Sequence, residues 1–195
     1  MSGLRPDLAV IAANVRPDTR VLDVGCGDGE LMAALAARGC DARGMELDAE
    51  LVERCVSRGL SVVQGDADRD LADYPDKAFD YAILSQTLQT AARPDRMLDE
   101  LLRVGRQAFV SFPNFAHWRT RAALMFGGRM PVTRAIPVSW YATQNIHHVT
   151  VADFRDLARE KGVRIEREWF FSGERPLGAA GANWRAEHAV FEISR

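Results

Sequence analysis

A glycine-rich segment that runs from Val21 to Leu31, with the sequence VLDVGCGDGEL, constrains this chain more than any other feature. Its apolar start is typical of a buried strand, its glycines of a tight turn, and its end of the first turn of a helix. Strand, glycine turn and helix in this order form the phosphate loop of nucleotide-binding α/β proteins. We therefore expect a ligand to lie at the carboxyl end of this strand.

The charges of this segment are wrong for a phosphate. A helix N-terminus attracts anions, but Asp28 and Glu30 already place two carboxylates in the turn and at the helix start, and Asp23 lies near the end of the strand. A ligand that carries an ammonium and a sulfonium fits better. We therefore predict S-adenosylmethionine (SAM), or its product S-adenosylhomocysteine, rather than NAD, whose pyrophosphate these carboxylates would repel.

Carboxylates that follow the second and third predicted strands extend the candidate pocket. Glu46 stands 23 positions after Asp23, where a carboxylate can accept hydrogen bonds from both ribose hydroxyls, although the same acid would also serve NAD. Asp66 could accept the adenine amino group beside the N–H of Ala67, or it could be a turn aspartate that binds its own backbone. The predicted cofactor-binding residues are Asp23, Gly25, Gly27, Gly29, Glu46, Leu47, Asp66, Ala67 and Ser85.

The rest of the chain alternates strands with helices. Strands are predicted at residues 19–24, 41–46, 60–64, 80–84 and 107–112, and helices at residues 6–15, 29–38, 48–58, 94–102 and 151–161. This spacing predicts a doubly wound parallel sheet with helices on both faces. Two last strands, at 163–171 and 187–193, have no crossover helix between them, so they must pair antiparallel, and residues 172–186 read as an exposed loop. We thus expect seven strands in a single domain over residues 1–195.

Residues 114–150 interrupt the alternation with one amphipathic helix followed by irregular chain. One face of this helix is predicted to carry Phe115, Trp118, Ala122 and Met125. The segment mixes arginine with aromatic side chains: Arg119, Arg121, Arg129, Arg134, Trp118, Phe126, Trp140 and Tyr141. Such mixtures mark nucleic-acid sites, anionic-substrate sites and protein interfaces. The net charge of −2 makes nucleic acid the weakest of these. We interpret 114–150 as a lid or a partner-binding insert, and the alternative is a helix that packs its aromatic side chains on the sheet edge.

Composition disfavours several other classes of protein. No run of about 18 apolar residues is present, so no membrane span is expected. The N-terminus lacks a basic segment followed by an apolar one, so no signal peptide is expected either. The chain has three cysteines, Cys26, Cys40 and Cys55, and no two of them are in C-x-x-C spacing. An odd number without that spacing favours reduced thiols in a cytoplasmic protein over a zinc site. His147 and His148 have no third ligand at helical spacing, so no metal is predicted.

No catalytic residue is assigned from the sequence. His117, His147, His148 and Glu166 are nearest to general-base candidates, but structural or surface roles suit the histidines better. Methyltransferases that act on amino groups of bases or of glutamine often carry Asn-Pro-Pro-aromatic after the fourth strand, where this chain has SQTLQ. Methyl transfer requires little beyond alignment and desolvation, so the missing motif does not exclude an enzyme.

Longer segments are similar to the methionine biosynthesis protein MetW family. They are the glycine loop, Ser85–Gln89, Leu98–Arg106, the segment FPNFAHWR at Phe112–Arg119, Gly128–Val132 and Trp140–His147. The FPNFAHWR segment is much more specific than the glycine loop. The resemblance implies a class I SAM-dependent methyltransferase-like fold, a role in methionine biosynthesis beside homoserine O-acetyltransferase (MetX), and a SAM pocket at Asp23, Gly25, Gly27, Glu46 and Asp66.

Three hypotheses for the function follow from these observations. The first is an accessory protein that binds SAM and supports the acetyltransferase through direct contact. The second is an active methyltransferase with a small-molecule acceptor. The third is an NAD-dependent enzyme, which the acidic glycine loop disfavours.

Overall fold

The computed structural model of the chain describes residues 3–133 and 136–195. Its strands are β1 (Arg20–Val24), β2 (Asp41–Glu46), β3 (Ser61–Gln64), β4 (Phe79–Ser85), β5 (Gly105–Pro113), β6 (Arg164–Ser172), β7 (Arg175–Leu177) and β8 (His188–Ser194). Its helices are α1 (Pro6–Asn14), α2 (Glu30–Ala36), α3 (Ala49–Ser57), α4 (Ala67–Asp70), α5 (Pro94–Val104), α6 (Trp118–Gly127), α7 (Val151–Glu160) and α8 (Ala182–Arg185), with a 3₁₀ turn at Leu71–Asp73. Across the two described ranges, no helix is long and apolar enough to span a bilayer.

The strands form one mixed sheet in the spatial order β3-β2-β1-β4-β5-β8-β6-β7. The first five strands pair parallel to one another. β8 then pairs antiparallel to β5 and to β6, and β7 pairs antiparallel to β6. The predicted parallel sheet with an antiparallel end is therefore confirmed.

Residues 172–186, which we expected to be an exposed loop, contain a further strand and a short helix. β7 pairs with the end of β6 across a turn in which Gly173 has a φ of +58°. In and after α8, Ala182 and Ala186 are buried. Over the described residues the sheet consequently has eight strands rather than seven. The sequence pattern does not predict β7, because this strand is only three residues long and contains Pro176.

Alternating side chains of the central strands build a core on each face of the sheet. On one face, Leu22 and Leu84 pack among buried residues of α5 and α7. On the other face, Val21 and Ile83 pack among buried residues of α1 and α2. Helices therefore cover both faces as predicted, and Asp23, two residues after Val21, lies on the α1–α2 face.

The helices begin where the sequence signals predicted. Asp48 precedes α3 and its side chain accepts a hydrogen bond from the N–H of Glu50 at 2.8 Å. Thr150 precedes α7 and accepts from the N–H of Asp153 at 3.1 Å. Pro94 occupies the first turn of α5, where its missing N–H has no intrahelical partner to lose.

α6 lies within the predicted insert but does not pack its apolar side chains on the sheet. Phe115 precedes the helix, and among the residues of α6 Thr120 alone is buried. Met125 and Phe126 are 73% and 81% exposed. The alternative in which aromatic side chains cover the sheet edge is therefore wrong for this helix. Arg134, one of the arginines predicted to belong to this surface, lies outside the described residues.

Candidate functional site

The glycine-rich turn joins β1 to α2 at the carboxyl edge of the sheet. Gly25 and Gly27 have φ values of +72° and +59°, in a region that residues with side chains rarely adopt. The N–H of Gly25 donates to the carbonyl of Met45 at 2.8 Å, which fixes the turn against β2. A Cβ on Gly27 would meet nothing within 4 Å among the described atoms. The turn therefore presents an open surface of main chain, as a ligand loop requires.

Gly29 has a different role from the one predicted. It does not line either of the two cavities beside the turn. Its φ is +80°, and a Cβ there would lie 2.3 Å from Cδ1 of Leu60 and 3.0 Å from Sγ of Cys55. Gly29 thus permits the close packing of the turn against these side chains, which sequence spacing alone could not distinguish from ligand contact.

Two cavities meet at Gly25, and between them they are lined by eight of the nine predicted cofactor residues. The larger, about 420 Å³, is lined by Gly25, Glu46, Leu47, Asp66 and Ala67 among others. The smaller, about 120 Å³, is lined by Asp23, Gly25, Gly27 and Ser85 and also by Arg5. The fold therefore brings together residues at the carboxyl ends of β1, β2, β3 and β4, at the sheet edge where ligands bind open α/β sheets.

Asp23 is a buried carboxylate with an unused acceptor. Its side chain is 2% exposed, and Oδ1 receives no hydrogen bond from the described part of the chain. Burial raises the pKa of Asp23 to about 7; the guanidinium of Arg5 opposes this rise and the carboxylate of Glu46 adds to it. Because buried acceptors normally have a donor, Oδ1 is a suitable partner for a cationic N–H group in the smaller cavity.

Glu46 is held by three main-chain donors. Oε2 accepts from the N–H of Gly27 at 2.8 Å, while Oε1 accepts from the N–H groups of Leu47 at 2.8 Å and Asp48 at 3.0 Å. A carboxylate has about four lone-pair positions, so it can accept from a ligand hydroxyl as well. The side chain is therefore oriented before any ligand arrives.

Asp66 has the turn role that the sequence left open, and it also faces the larger cavity. Its Oδ1 caps α4 by accepting from the N–H of Asp68 at 3.1 Å, and its Oδ2 lies 3.4 Å from Nε of Arg69. Ala67 is the first residue of α4 and lines the same cavity. The capping role and a ligand contact are compatible, because the carboxylate remains partly exposed.

The N-terminal segment supplies side chains that the sequence analysis missed. Nη2 of Arg5 donates to Oγ of Ser85 at 3.0 Å and to Oδ2 of Asp7 at 3.3 Å. Asp7 is buried and also accepts from Ser85 at 3.1 Å and from Ser111 at 2.9 Å. These bonds place the guanidinium of Arg5 at the smaller cavity. No local pattern marks Arg5 or Asp7, since only the packing of α1 on the sheet brings them there.

A third cavity of about 370 Å³ adjoins the other two. It shares Gln86 with the larger cavity and Arg5 with the smaller one, and it is also lined by Asp7, Glu174 and His188. Gln86 has a φ of +53°, which is uncommon for a residue with a side chain. Strained backbone of this kind often accompanies function, and here it lies where two cavities meet.

The general-base candidates of the sequence analysis lie elsewhere. The three cavities described above are not lined by any of these candidates, which are His117, His147, His148 and Glu166. His117 precedes α6, where burial lowers its pKa. The ring of His148 packs edge-on against Phe115 at 4.2 Å. Among residues 3–133 and 136–195, no group of three His, Cys, Asp or Glu side chains is arranged to hold a metal ion.

Solved structures share this architecture. A SAM-dependent methyltransferase from Mesorhizobium loti superposes with a TM-score of 0.72 at 20% identity and covers 96% of each chain. A SAM-dependent methyltransferase from Archaeoglobus fulgidus superposes with a TM-score of 0.71 at 14% identity, over 96% of this chain and 94% of that one. At such low identity the likeness establishes the fold, which is that of the class I methyltransferases.

Sequence comparison identifies the family. The chain is 35% identical over 188 residues to the bifunctional methionine biosynthesis protein MetXA/MetW of Rhodopirellula baltica, covering 90% of this chain and 30% of that protein. It is 32% identical over 157 residues to a ubiquinone biosynthesis O-methyltransferase of Xylella fastidiosa, covering 75% of this chain and 61% of that one. The chain thus spans less than two thirds of either relative. The model of the methionine biosynthesis protein MetW family matches residues 5–193, and the chain belongs to that family.

Proposed function

We propose that this chain, taken as one methyltransferase-like domain, binds SAM or S-adenosylhomocysteine and acts in methionine biosynthesis as an accessory factor of homoserine O-acetyltransferase. Membership of the MetW family supports the pathway, and the methyltransferase fold supports the class of ligand. The observation that carries the proposal is the buried side chain of Asp23, whose Oδ1 has no donor within the described residues; Asp23 itself lines a cavity beside the open glycine turn.

The amino-acid end of SAM suits the smaller cavity. The ligand's ammonium would donate to Asp23, and its carboxylate would accept from Arg5, whose guanidinium lines the same cavity. Asp28 and Glu30 also line it, so a pyrophosphate there would meet several carboxylates in a confined volume. The charges therefore favour SAM over NAD.

The adenosyl end suits the larger cavity. Glu46 would accept hydrogen bonds from the ribose hydroxyls through its remaining lone pairs, and its main-chain donors keep the carboxylate in place for that contact. Asp66 and Ala67, which line the same cavity, would meet the adenine. SAM itself, when bound, supplies an activated methyl group on a sulfonium.

The acetyltransferase partner is proposed from the relative in Rhodopirellula baltica, whose name joins MetXA with MetW in one bifunctional protein. Fusion in one chain favours the view that the two parts act together. SAM is formed downstream of methionine. A SAM-binding partner could therefore make the activity of the acetyltransferase, an early enzyme of the pathway, depend on the concentration of SAM. Such coupling requires that SAM bind one state of the complex more tightly than another.

An activity assay with both purified proteins tests this accessory role. We expect the acetyltransferase to form a complex with this chain and to change its rate when the chain is added. We further expect SAM to alter that change, whereas an equal concentration of NAD does not. An acetyltransferase rate that is the same with and without the chain, together with no complex in gel filtration, would overturn the accessory function.

A second candidate function is methyl transfer to a small acceptor, which the third cavity favours. Its volume of about 370 Å³ suits a small molecule rather than a macromolecule, and it adjoins both cavities of the SAM site at Gln86 and Arg5. The test is release of S-adenosylhomocysteine from SAM in the presence of candidate metabolites. Release that requires one metabolite and is lost in Gln86→Ala would support an enzyme; no release above the metabolite-free rate would count against it.

A further inference from the structure

An open groove of about 340 Å³ lies between the start of α6, β7 and α8, at the antiparallel side of the sheet. It is lined by Trp118, Ser172, Arg175, Leu177, Trp184 and Arg185. The two tryptophans are 42% and 52% exposed. The groove shares no lining residue with the three cavities described above. Large indole surfaces left in water at one place are typical of a docking site rather than of a bare surface.

Each of the two indoles has an arginine side chain beside its ring. The guanidinium of Arg121 lies 5.2 Å from the ring centre of Trp184, and that of Arg119 lies 5.3 Å from the ring of Trp118. Within the described ranges, neither of these arginines, nor Arg175 of the groove, forms an ion pair with a carboxylate. The groove therefore combines apolar walls, formed by the two indoles and Leu177, with positive charge from Arg175 and Arg185 in its lining and from Arg119 and Arg121 beside it.

The positive charge is local to this part of the chain. Residues 101–152 contain six arginines and no aspartate or glutamate, although the whole chain has 27 acidic residues and a net charge of −2. Two of the six, Arg103 and Arg106, pair with acidic residues outside this stretch. α6 falls within this acid-free stretch. Arg119 and Arg121 of α6 form no ion pair with a described residue, so they can pair with carboxylates that a docked partner supplies.

We infer that the groove docks a segment of homoserine O-acetyltransferase that carries carboxylates beside one or two large apolar side chains. This inference rests on the proposed function, since it names the surface by which that complex forms. Tryptophan and arginine are the residues that most often dominate binding energy at protein interfaces, and here both are clustered in one place. The partner's apolar side chains would fill the groove, and its carboxylates would pair with the arginines that have no acidic partner.

A second copy of this chain is a poorer occupant. In a two-fold dimer the same patch faces itself, which would bring the arginines of one groove close to those of the other. Like charges held together at an interface oppose association. Charge complementarity therefore favours a different protein with an acidic face.

The groove also adjoins the third cavity through the turn between β6 and β7. Ser172 lines the groove, whereas the next two residues, Gly173 and Glu174, line the cavity. Arg175, at the other end of this turn, lines the groove as well, so a segment docked there would contact both ends of a turn whose tip forms a wall of that cavity. This contiguity gives the partner a short route by which to influence the ligand site.

The test measures the affinity of the full chain for purified acetyltransferase by calorimetry. We expect Arg185→Glu and Trp184→Ala each to weaken binding by about tenfold or more, as for central interface residues. The matched control is Arg54→Glu on α3, which lies beside β3 at the opposite edge of the sheet, and we expect its affinity to equal that of the wild type. Because Arg185 is exposed, its reversal tests the groove even where loss of Trp184 disturbs folding.

The possible outcomes distinguish a failure of the docking site from a failure of the proposed accessory function. A wild-type chain that binds the acetyltransferase, with groove variants that bind equally well, would overturn the docking site and leave the accessory function standing. A wild-type chain with no affinity for the acetyltransferase would overturn both. A wild-type chain that self-associates, with Arg185→Glu remaining monomeric, would assign the groove to a second copy and contradict the inference.

Discussion

The main-chain N–H of Gly27 donates to Oε2 of Glu46 at 2.8 Å, and this bond ties the glycine turn to the end of β2. The two elements that would contact opposite ends of a SAM molecule are thus joined by the protein itself. Glu46 is further held by the N–H groups of Leu47 and Asp48. A site arranged in this way loses less conformational freedom on binding.

We expect Glu46→Gln to weaken SAM binding by about 10- to 100-fold, which is the usual effect of losing hydrogen bonds to a charged group. The amide has one acceptor oxygen in place of two, so its NH₂ group must face either the N–H of Gly27 or those of Leu47 and Asp48, and the side chain is no longer held in place for the ligand. Calorimetry measures the change. Glu53→Gln, on α3, is the control, and equal affinities for the two variants would contradict the ribose contact.

We expect Gly27→Val to abolish SAM binding. Its side chain would enter space that no described atom occupies within 4 Å, so it would displace ligand rather than protein. A modest loss of thermal stability should accompany it, because φ at this position is +59° and a β-branched residue is strained there.

Gly59→Val is the matched control for Gly27→Val. Gly59 has a φ of +74°, and a Cβ there also meets nothing within 4 Å, but it follows α3 and lines none of the three cavities. We expect this variant to show a similar loss of melting temperature and to bind SAM normally. Unchanged binding by both variants would remove Gly27 from the site.

We expect Arg5→Gln to weaken SAM by about tenfold through loss of a charge-assisted bond to the ligand's carboxylate. Adenosine, which lacks the amino-acid moiety, should bind the variant and the wild type equally. Competition against a fixed concentration of SAM measures both affinities. An equal loss for SAM and adenosine would mean that Arg5 acts on the fold rather than on the carboxylate.

Asp23 should make the ligand-free protein less stable as the pH rises. Burial raises its pKa from 3.8 to about 7 in the folded state, so between these values the folded protein binds more protons than the unfolded one. Under the linkage relation its stability then falls with increasing pH. We expect the melting temperature of the wild type to fall relative to that of Asp23→Asn between about pH 5 and pH 8. A constant difference across that range would show that Asp23 does not titrate there.

Much of the candidate site could be predicted because its elements are local in sequence. Gly25, Gly27 and Asp23 belong to one strand–turn–helix unit, and Glu46 follows the next strand at a spacing set by the crossover between them. Alternation of strands and helices sufficed for the parallel half of the sheet. These features depend on backbone geometry that neighbouring residues determine.

The features that the sequence did not reveal depend on contacts between distant segments. Arg5 reaches the site only because α1 packs on the sheet, and Gly29 is required by Leu60, which lies 31 positions later. β7 gains its definition from pairing with β6 rather than from its own three residues. The sequence could not predict that the apolar residues of α6 are exposed, because an apolar helix face has the same pattern whether the protein itself or a partner covers it.

The central claim is that Asp23 and the open glycine turn hold a cationic adenosyl ligand. Calorimetric titration of SAM and of NAD into the wild-type chain and into Asp23→Asn tests it most directly. We predict one SAM site in the wild type, no binding of NAD, and SAM affinity reduced by about tenfold in the variant. Binding of NAD without binding of SAM, or equal SAM affinity in the two proteins, would contradict it.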